Sequence, residues 1–367
     1  MAESTSLLKP GEIIKPIIDV AECKILVEAL YGLECSSITE LNGYDDKNYK
    51  VLVNNVNIKN ENVKDVCKDG YVLKIMNSLD SKKISFVEAQ NSLMLFLCNN
   101  DVTCPRPVKN RNGEYYSIER FVSGEHVVRL LEFLPGSILH QIHPPNSLLY
   151  QSGIFVASID RVLKNFHHPA YNSHQTLWML DSVPQLSQFL FAVKDATRRK
   201  IVEDIIQQFK DRVLTVREIL EKGIIHGDFN DQNIVVEKLN GEWTIKGILD
   251  FGDSQYSCYL FELAIAITYM VIVTKNLDAV GYVIAGYSKI RSIPDIEFSL
   301  LKVCVAARLC QSLVMGAYTS LHNPENKYVL TTAATGWELL LKLWPEPEEK
   351  VLEKWRTVAD SYIQEIS

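Results

Sequence analysis

The sequence predicts an α+β protein of two unequal lobes, the first a small mixture of sheet and helix and the second larger and mainly helical. Three observations carry that expectation. Short β-branched runs crowd the first third: NYKVLVNNV, GYVLKIMN, GEYYSIERFVSG and EHVVRLLEFLPG. From about Asn146 the apolar spacing takes on a helical period. That helical stretch is broken once, by HGDFNDQNIVVEK and WTIKGILDFGDS, two strand-like pieces with loops rich in Asp, Asn and Gly. The Pro135-Gly136 pair forces the chain out of a sheet and divides it into residues 1–134 and 135–367.

Each element has a local reason. Residues 17–31 place Ile17, Ile18, Val20, Ala21, Ile25, Leu26, Val27, Ala29 and Leu30 on an amphipathic helix that Gly32 stops. NYKVLVNNV and GYVLKIMN read as a hairpin, with Asp69-Gly70 as the turn signal. ISFVEAQNSLMLFLCNN has helical spacing, with Val87, Leu93 or Met94, and Leu97 on or near one face. In the second part a helix covers SLLYQSGIFVASIDRVLKNFHH, a long charged helix lies near residues 196–221, and helices resume near Tyr259. The apolar stretch Leu263–Val273 falls short of the ~20 residues a membrane helix needs, so it is expected to be a buried helix.

Composition removes several classes of function. The 367 residues hold 47% hydrophobic side chains, enough for one large core or two ordinary ones. With 45 acidic against 38 Lys+Arg residues the net charge is −7, which offers no general attraction to nucleic acid or to an anionic membrane. The eight cysteines form no CxxC pair and none has His at metal-site spacing. They read as reduced thiols, and MAESTSLLKPGEIIKP lacks the pattern of a signal peptide, so a cytoplasmic protein is expected. No repeat, low-complexity tract or Ser/Gly linker is visible.

The chemistry concentrates at residues 226–253. IIHGDFNDQNIVV sets an apolar run on each side of a loop carrying His226, Gly227, Asp228, Asp231 and Asn233, an arrangement that holds polar groups rigidly. Asp228 can orient or deprotonate a hydroxyl, and Asn233 offers a neutral oxygen to a hard cation. ILDFGD then brings Asp250 to a strand end, with carboxylate oxygens suited to Mg²⁺ and phosphate charge. One base and two metal ligands compose a phosphoryl-transfer site, although each residue taken singly is as readily an Asx turn or a helix cap. Upstream, Lys74 in YVLKIMN can reach phosphates as a point charge, with Glu88 of the next helix as its natural partner; the bland alternative is a surface salt bridge.

HGDFNDQN followed by LDFGD resembles the aminoglycoside phosphotransferase and choline kinase superfamily, relatives of the protein kinases. The resemblance implies a two-lobed protein-kinase-like fold of the aminoglycoside phosphotransferase type. It also implies Asp228 as catalytic base, Asn233 and Asp250 as Mg²⁺ ligands, and His226 as support for the catalytic loop. Further runs extend it almost end to end: YDDKNYKV, YVLKI, VEAQN, VRLLEFLPG, LKNFHHP, GILDFGDSQYSCYLFELAIAI, RLCQSLVMGAY and PENKYVLTTA. Together they are similar to the branch that phosphorylates 5-hydroxy-L-lysine in lysine breakdown. That branch implies GTP as donor ahead of ATP, residues 1–134 as the nucleotide-binding lobe with a lead-in helix, and residues 135–367 as the catalytic and substrate-binding lobe.

No GxGxxG or GxxxxGK[ST] occurs, so the candidate phosphate-covering turn is LNGYDDKNYKV, with Gly43 and Asn48. Asp45 and Asp46 are then expected to face away or to meet substrate or solvent. In RLLEFLPG, backbone groups around Glu132 to Leu134 would read the purine edge. Hydroxylysine carries two amines and a carboxylate. Asp231, Asp253 and Glu262 are the acidic candidates for the amines, and Arg308 is the cation for the carboxylate. Arg308 in an internal salt bridge and Glu262 as support for the catalytic loop are the competing readings. His167 and His168 read as structural, as do Cys258 and Cys310. A kinase for another hydroxylated amine (an aminoglycoside, choline or homoserine) and a silent nucleotide-binding protein remain alternatives. A kinase acting on polypeptides fits less well, because HGD replaces HRD and no APE-terminated segment is evident.

Overall fold

The computed structural model describes residues 14–43, 45–54, 58–322 and 333–367. The resemblance run PENKYVLTTA lies outside them except for Ala333. The chain divides into two compact units, residues 1–135 and 136–367.

In the first unit, helix α1 (Val20–Leu26) is opened by a reciprocal cap: Asp19 Oδ1 accepts the Glu22 N–H, and Glu22 Oε2 accepts the Asp19 N–H. It continues as a wider turn over Val27–Tyr31 and stops at Gly32, whose φ of 62° suits glycine. Cys23, Val27 and Tyr31 form the buried stripe, while Ile17, Val20 and Ile25 stay exposed. The apolar face legible in the sequence is therefore wider than the face that packs.

Strands β1 (Cys35–Leu41), β2 (Lys47–Val53) and β3 (Tyr71–Ile75) precede helix α2 (Ile84–Cys98), and β4 (Pro107–Val108), β5 (Ser117–Phe121) and β6 (Gly124–Glu132) follow it. The sheet is antiparallel in the order β1-β2-β3-β6-β4, with β5 also paired to β6. Strand β1 was not anticipated, because CSSITEL is mostly polar and only Cys35 of its seven residues is buried, which leaves no alternation to read. The register sets Asn48 opposite Lys74 and Lys74 opposite Arg129, so these three share one face.

The second unit opens with β7 (Ser137–Ile138) and helix α3 (Asn146–Leu163). A 3₁₀ stretch over Leu180–Ala192 leads to α4 (Ala196–Gln208). The long helix expected near 196–221 ends as an α-helix at Gln208 and passes through a π turn and a 3₁₀ turn. Strands β8 (Lys222–Ile225), β9 (Ile234–Leu239), β10 (Glu242–Ile248) and β11 (Gln255–Cys258) follow, then α5 (Tyr259–Thr274), α6 (Ala279–Ser288), α7 (Asp295–His322), α8 (Ala333–Leu343) and α9 (Glu348–Ile366).

Strand pairing brings the polar loops together. β9 pairs with β10 and β7, while β8 pairs with β11. Ile234 lies opposite Ile248, and Ile225 lies opposite Gln255. Residues 226–233 and 249–254 therefore span the same gap between two small sheets, closed at each end by a strand pair.

Every residue of α5 from Tyr259 to Ile272 is buried, as expected for an apolar run without a charged face. Among the described residues, α7 is long and apolar enough by composition to cross a membrane. Yet 83% of its most apolar window is buried inside the protein, and Glu297, Lys302, Arg308 and Gln311 are buried along it. It is a core helix.

Candidate active site

The loop after β8 is built around a glycine. Gly227 has φ of 79°, and a Cβ there would lie 2.2 Å from the Asp253 carbonyl oxygen. Its N–H donates to Glu262 Oε2 at 2.8 Å. His226 is fully buried, with Nε2 donating to the Leu249 carbonyl at 2.9 Å and Nδ1 accepting the Asp228 N–H at 3.2 Å. Burial pushes its pKa down, favouring the neutral ring these contacts need. His226 thus ties the two loops together and does not reach solvent.

Asp228 is held on both oxygens. Oδ2 accepts from Asn230 Nδ2 at 2.7 Å and Asn233 Nδ2 at 2.9 Å, and Oδ1 accepts from Arg308 Nη2 at 3.0 Å. Asn230 Oδ1 accepts the N–H groups of Gln232 and Asn233, closing an Asx turn. Sequence reasoning passed over Asn230, although its place two residues after Asp228 is the signal for such a turn. Leu249 N–H donates to the Asn233 carbonyl at 2.7 Å, which fixes Asn233 beside the strand end carrying Asp250.

Asp250 is exposed at φ of 54° and its Oδ1 accepts the Gly252 N–H at 3.1 Å. Asn233 turns its amide nitrogen to Asp228, which directs its side-chain oxygen the other way, where it would be available to a cation. No group of three or more His, Cys, Asp or Glu suited to a metal occurs among the described residues. One carboxylate and one amide oxygen do not make a permanent zinc or calcium cage. They do fit Mg²⁺, which takes one or two protein oxygens plus phosphates and waters.

Three of the four acceptor-side expectations need correction. Asp231 is 4% exposed, with Oδ2 2.6 Å from Nδ1 of the exposed His140, so its carboxylate is already partnered. Glu262 is fully buried against the Gly227 N–H; burial pushes its pKa up to about 7, and Oε1 has no hydrogen-bond partner. Arg308 is 1% exposed and pairs with Asp228, so it does not face an open pocket. For two of them the competing reading holds: Arg308 lies in an internal salt bridge, and Glu262 supports the loop after β8. Asp253 stays half-buried, close enough to Arg308 for their charges to interact. His168 accepts the Ala170 N–H, a structural cap, and His167 is exposed; Cys258 and Cys310 are buried free thiols.

In the first unit Lys74 is 7% exposed and its Nζ lies 3.0 Å from Asp46 Oδ2. Glu88 is not its partner: it sits on the exposed side of α2, where Oε1 accepts from Tyr116 OH at 3.1 Å. Helical phase explains the miss, since Val87, Ala89, Gln90 and Asn91 take the buried side. Asp46 also faces inward, contrary to expectation, and Oδ1 accepts the N–H and the side-chain amide of Asn77. Burial, with Asp46 and Asp80 nearby, pushes Asp45 up to about 6.

The Gly43 carbonyl accepts from Lys15 Nζ at 2.8 Å, and Asn48 Nδ2 donates to the Asn42 carbonyl at 3.3 Å. At the end of β6, Glu132 N–H is taken by the Arg106 carbonyl and Phe133 N–H by the Gly70 carbonyl. Glu132 therefore cannot lend its N–H to a purine edge, which narrows the backbone donors there to Leu134.

The profile of the phosphotransferase enzyme family matches residues 42–293. The chain belongs to that family. This phosphotransferase is similar to the hydroxylysine kinase of Xenopus laevis, 38% identical over 365 residues that cover 95% of this chain and 96% of the other. It is also similar to those of Bos taurus (35% identical, 96% of each chain) and Danio rerio (32% identical, 95% and 98%). Among solved structures, amicoumacin kinase hAmiN in complex with AMP-PNP, Ca²⁺ and Ami shares the fold at a TM-score of 0.67 and 13% identity, over 91% of this chain and 97% of that one. The GDP complex of wild-type aminoglycoside 2'-phosphotransferase-IIIa does so at 0.58 and 16%, over 88% and 97%. The phosphotransferase is an enzyme with the aminoglycoside phosphotransferase fold, as its sequence motifs imply.

Proposed function

We propose that this phosphotransferase moves the γ-phosphoryl group of GTP to the side-chain hydroxyl of 5-hydroxy-L-lysine, giving 5-phosphohydroxy-L-lysine and GDP. The observation that carries the reaction is the Asp228 carboxylate, fixed by Asn230, Asn233 and Arg308 with one lone pair of Oδ1 left for a hydroxyl. The choice of acceptor follows the end-to-end likeness to hydroxylysine kinases, and the choice of GTP follows the resemblance of the sequence to that branch.

Asp228 Oδ1 accepts a hydrogen bond from the acceptor hydroxyl and takes its proton as the oxygen attacks the γ-phosphorus. The bond from that phosphorus to the β,γ-bridging oxygen breaks, and GDP leaves with the electron pair. Lys74, held by Asp46, supplies a point charge to the nucleotide phosphates. Asn233 and Asp250 would hold Mg²⁺, which offsets phosphate charge when bound. The Gly43–Asn48 turn covers the phosphates, and Leu134 N–H meets the purine edge. Asp253 is the acidic group we assign to an acceptor ammonium. The eight free thiols and the acceptor's place in lysine breakdown fit a cytoplasmic enzyme.

The test is nucleoside diphosphate release by purified protein with Mg²⁺, comparing GTP with ATP and hydroxylysine with lysine, choline and an aminoglycoside. Release that requires both GTP and hydroxylysine, and is lost in Asp228→Asn, is the expected result. Activity with another acceptor would overturn the substrate and keep the reaction.

A further inference from the structure

Arg308 and Gln311 stand three residues apart on α7 and so share one face. Gln311 Nε2 donates to the carbonyls of Leu177 at 2.6 Å and Met179 at 3.0 Å. Arg308 Nη1 donates to the carbonyl between them, that of Trp178, at 3.0 Å and to Gln311 Oε1 at 2.9 Å. Two side chains thus clamp three successive carbonyls. From this mounting Arg308 extends Nη2 to Asp228 Oδ1 at 3.0 Å and to Tyr269 OH at 3.3 Å.

A guanidinium stripped of water and anchored in this way cannot swing toward an arriving carboxylate without leaving the Trp178 carbonyl and Gln311 Oε1 short of a donor. Its charge is already committed to Asp228. Asn230 and Asn233 hold Oδ2 from one side, and Arg308 opposes rotation of the carboxylate from the other.

We infer that Arg308 is a positioning residue for phosphoryl transfer: mounted on the Leu177–Met179 carbonyls, it fixes Asp228 with Oδ1 toward the acceptor hydroxyl, and it is not the cation that binds the acceptor's carboxylate. The inference rests on Asp228 being the base. It gives the clamp on residues 177–179 a function, since a shift of that segment would be passed to the reacting oxygen.

The experiment measures kcat and acceptor KM for wild type, Arg308→Ala, Arg308→Lys, Asp228→Asn and the Asp228→Asn/Arg308→Ala double variant. Each is assayed with hydroxylysine and with the decarboxylated diamine that keeps both amines and the hydroxyl. Misplacing a reacting group by about 1 Å costs on the order of a hundredfold, so Arg308→Ala should lose about ten- to a hundredfold in kcat with little change in KM. The same factor should appear with the diamine, added guanidinium should restore part of it, and the double variant should be no slower than Asp228→Asn.

A rise in KM for hydroxylysine at unchanged kcat, absent with the diamine, would make Arg308 the carboxylate ligand and overturn the inference. Should Arg308→Ala fail to fold, Arg308→Lys carries the test, because it keeps the charge and lacks the fork. A kcat loss there supports positioning, and wild-type kinetics defeat it. Full turnover in Asp228→Asn would defeat the base itself, whereas a silent Asp228→Asn beside a fully active Arg308→Ala would defeat this inference alone.

Discussion

Asp228 differs from the other acids of its loop in what surrounds it: three side-chain donors hold its two oxygens, and it keeps partial access to solvent. Asp228→Asn keeps the shape and removes the proton acceptor, so turnover should fall roughly a hundred- to ten-thousand-fold while circular dichroism and nucleotide affinity hold. Undiminished turnover would remove Asp228 from the reaction. Glu262 behaves oppositely. Burial pushes its pKa up to about 7 from an ordinary 4.5, so the folded protein binds a proton there that the unfolded chain has released. That stability is present below pH 4.5 and is lost as pH rises through about 7, on the order of 3 kcal/mol. Glu262→Gln keeps an acceptor for the Gly227 N–H, so its melting temperature should fall less between pH 5 and 8 than that of wild type; parallel curves would exclude Glu262. The grouping of Asp228, Asn233 and Asp250 was legible because it depends on order along two adjoining loops. Loop support by Glu262 and an internal salt bridge for Arg308 were legible as competing readings, but the residues they meet, and His140 beside Asp231, were not, since each pairing joins elements distant in sequence.

Elements were legible where periodicity set them and obscure where close approach did. Helices α2, α3 and α5 follow their apolar spacing, and strands β2, β3, β5 and β6 follow their β-branched runs. Strand β1 escaped notice because its pairing to β2, rather than its composition, makes it a strand. The contact of α3 with α6 was equally hidden, since it is made by missing side chains. A Cβ on Gly153 would lie 2.0 Å from the Val283 carbonyl oxygen, and one on Gly286 would lie 1.9 Å from that of Tyr150. Backbone meets backbone there, and no flexible side chain can give way. Gly153→Ala should therefore destabilise by about 3 kcal/mol or more through overpacking, read as a lower urea midpoint at unchanged slope. Gly113→Ala is the control, because φ is 85° but nothing lies within 4 Å of its Cβ. It should cost only the backbone strain, about 1–2 kcal/mol. Equal midpoints for the two variants would show that the helices can separate.

The whole molecule carries a net charge of −7 and must nevertheless receive a polyanionic nucleotide and, on our reading, a substrate with two ammonium groups. Overall charge suits the substrate and opposes the nucleotide, so the donor depends on local cations. Lys74 is already neutralised in part by Asp46, and on our reading Asn233 with Asp250 would supply only two protein oxygens to a metal. Neither centre is built to hold its ion or phosphate alone. Mg²⁺ should therefore arrive with the nucleotide and stabilise the fold only in its company. At about a hundredfold its Kd, Mg²⁺-GTP should stabilise the protein by about 2.7 kcal/mol. Mg²⁺ alone at the same concentration should leave thermal unfolding unchanged, and a chelator should reverse most of the shift. In Asp250→Ala the Mg²⁺-dependent part of the shift should vanish while a smaller, metal-independent part survives. A wild-type shift as large with Mg²⁺ alone would mean a resident metal site made by protein groups, and would move the metal away from Asn233 and Asp250.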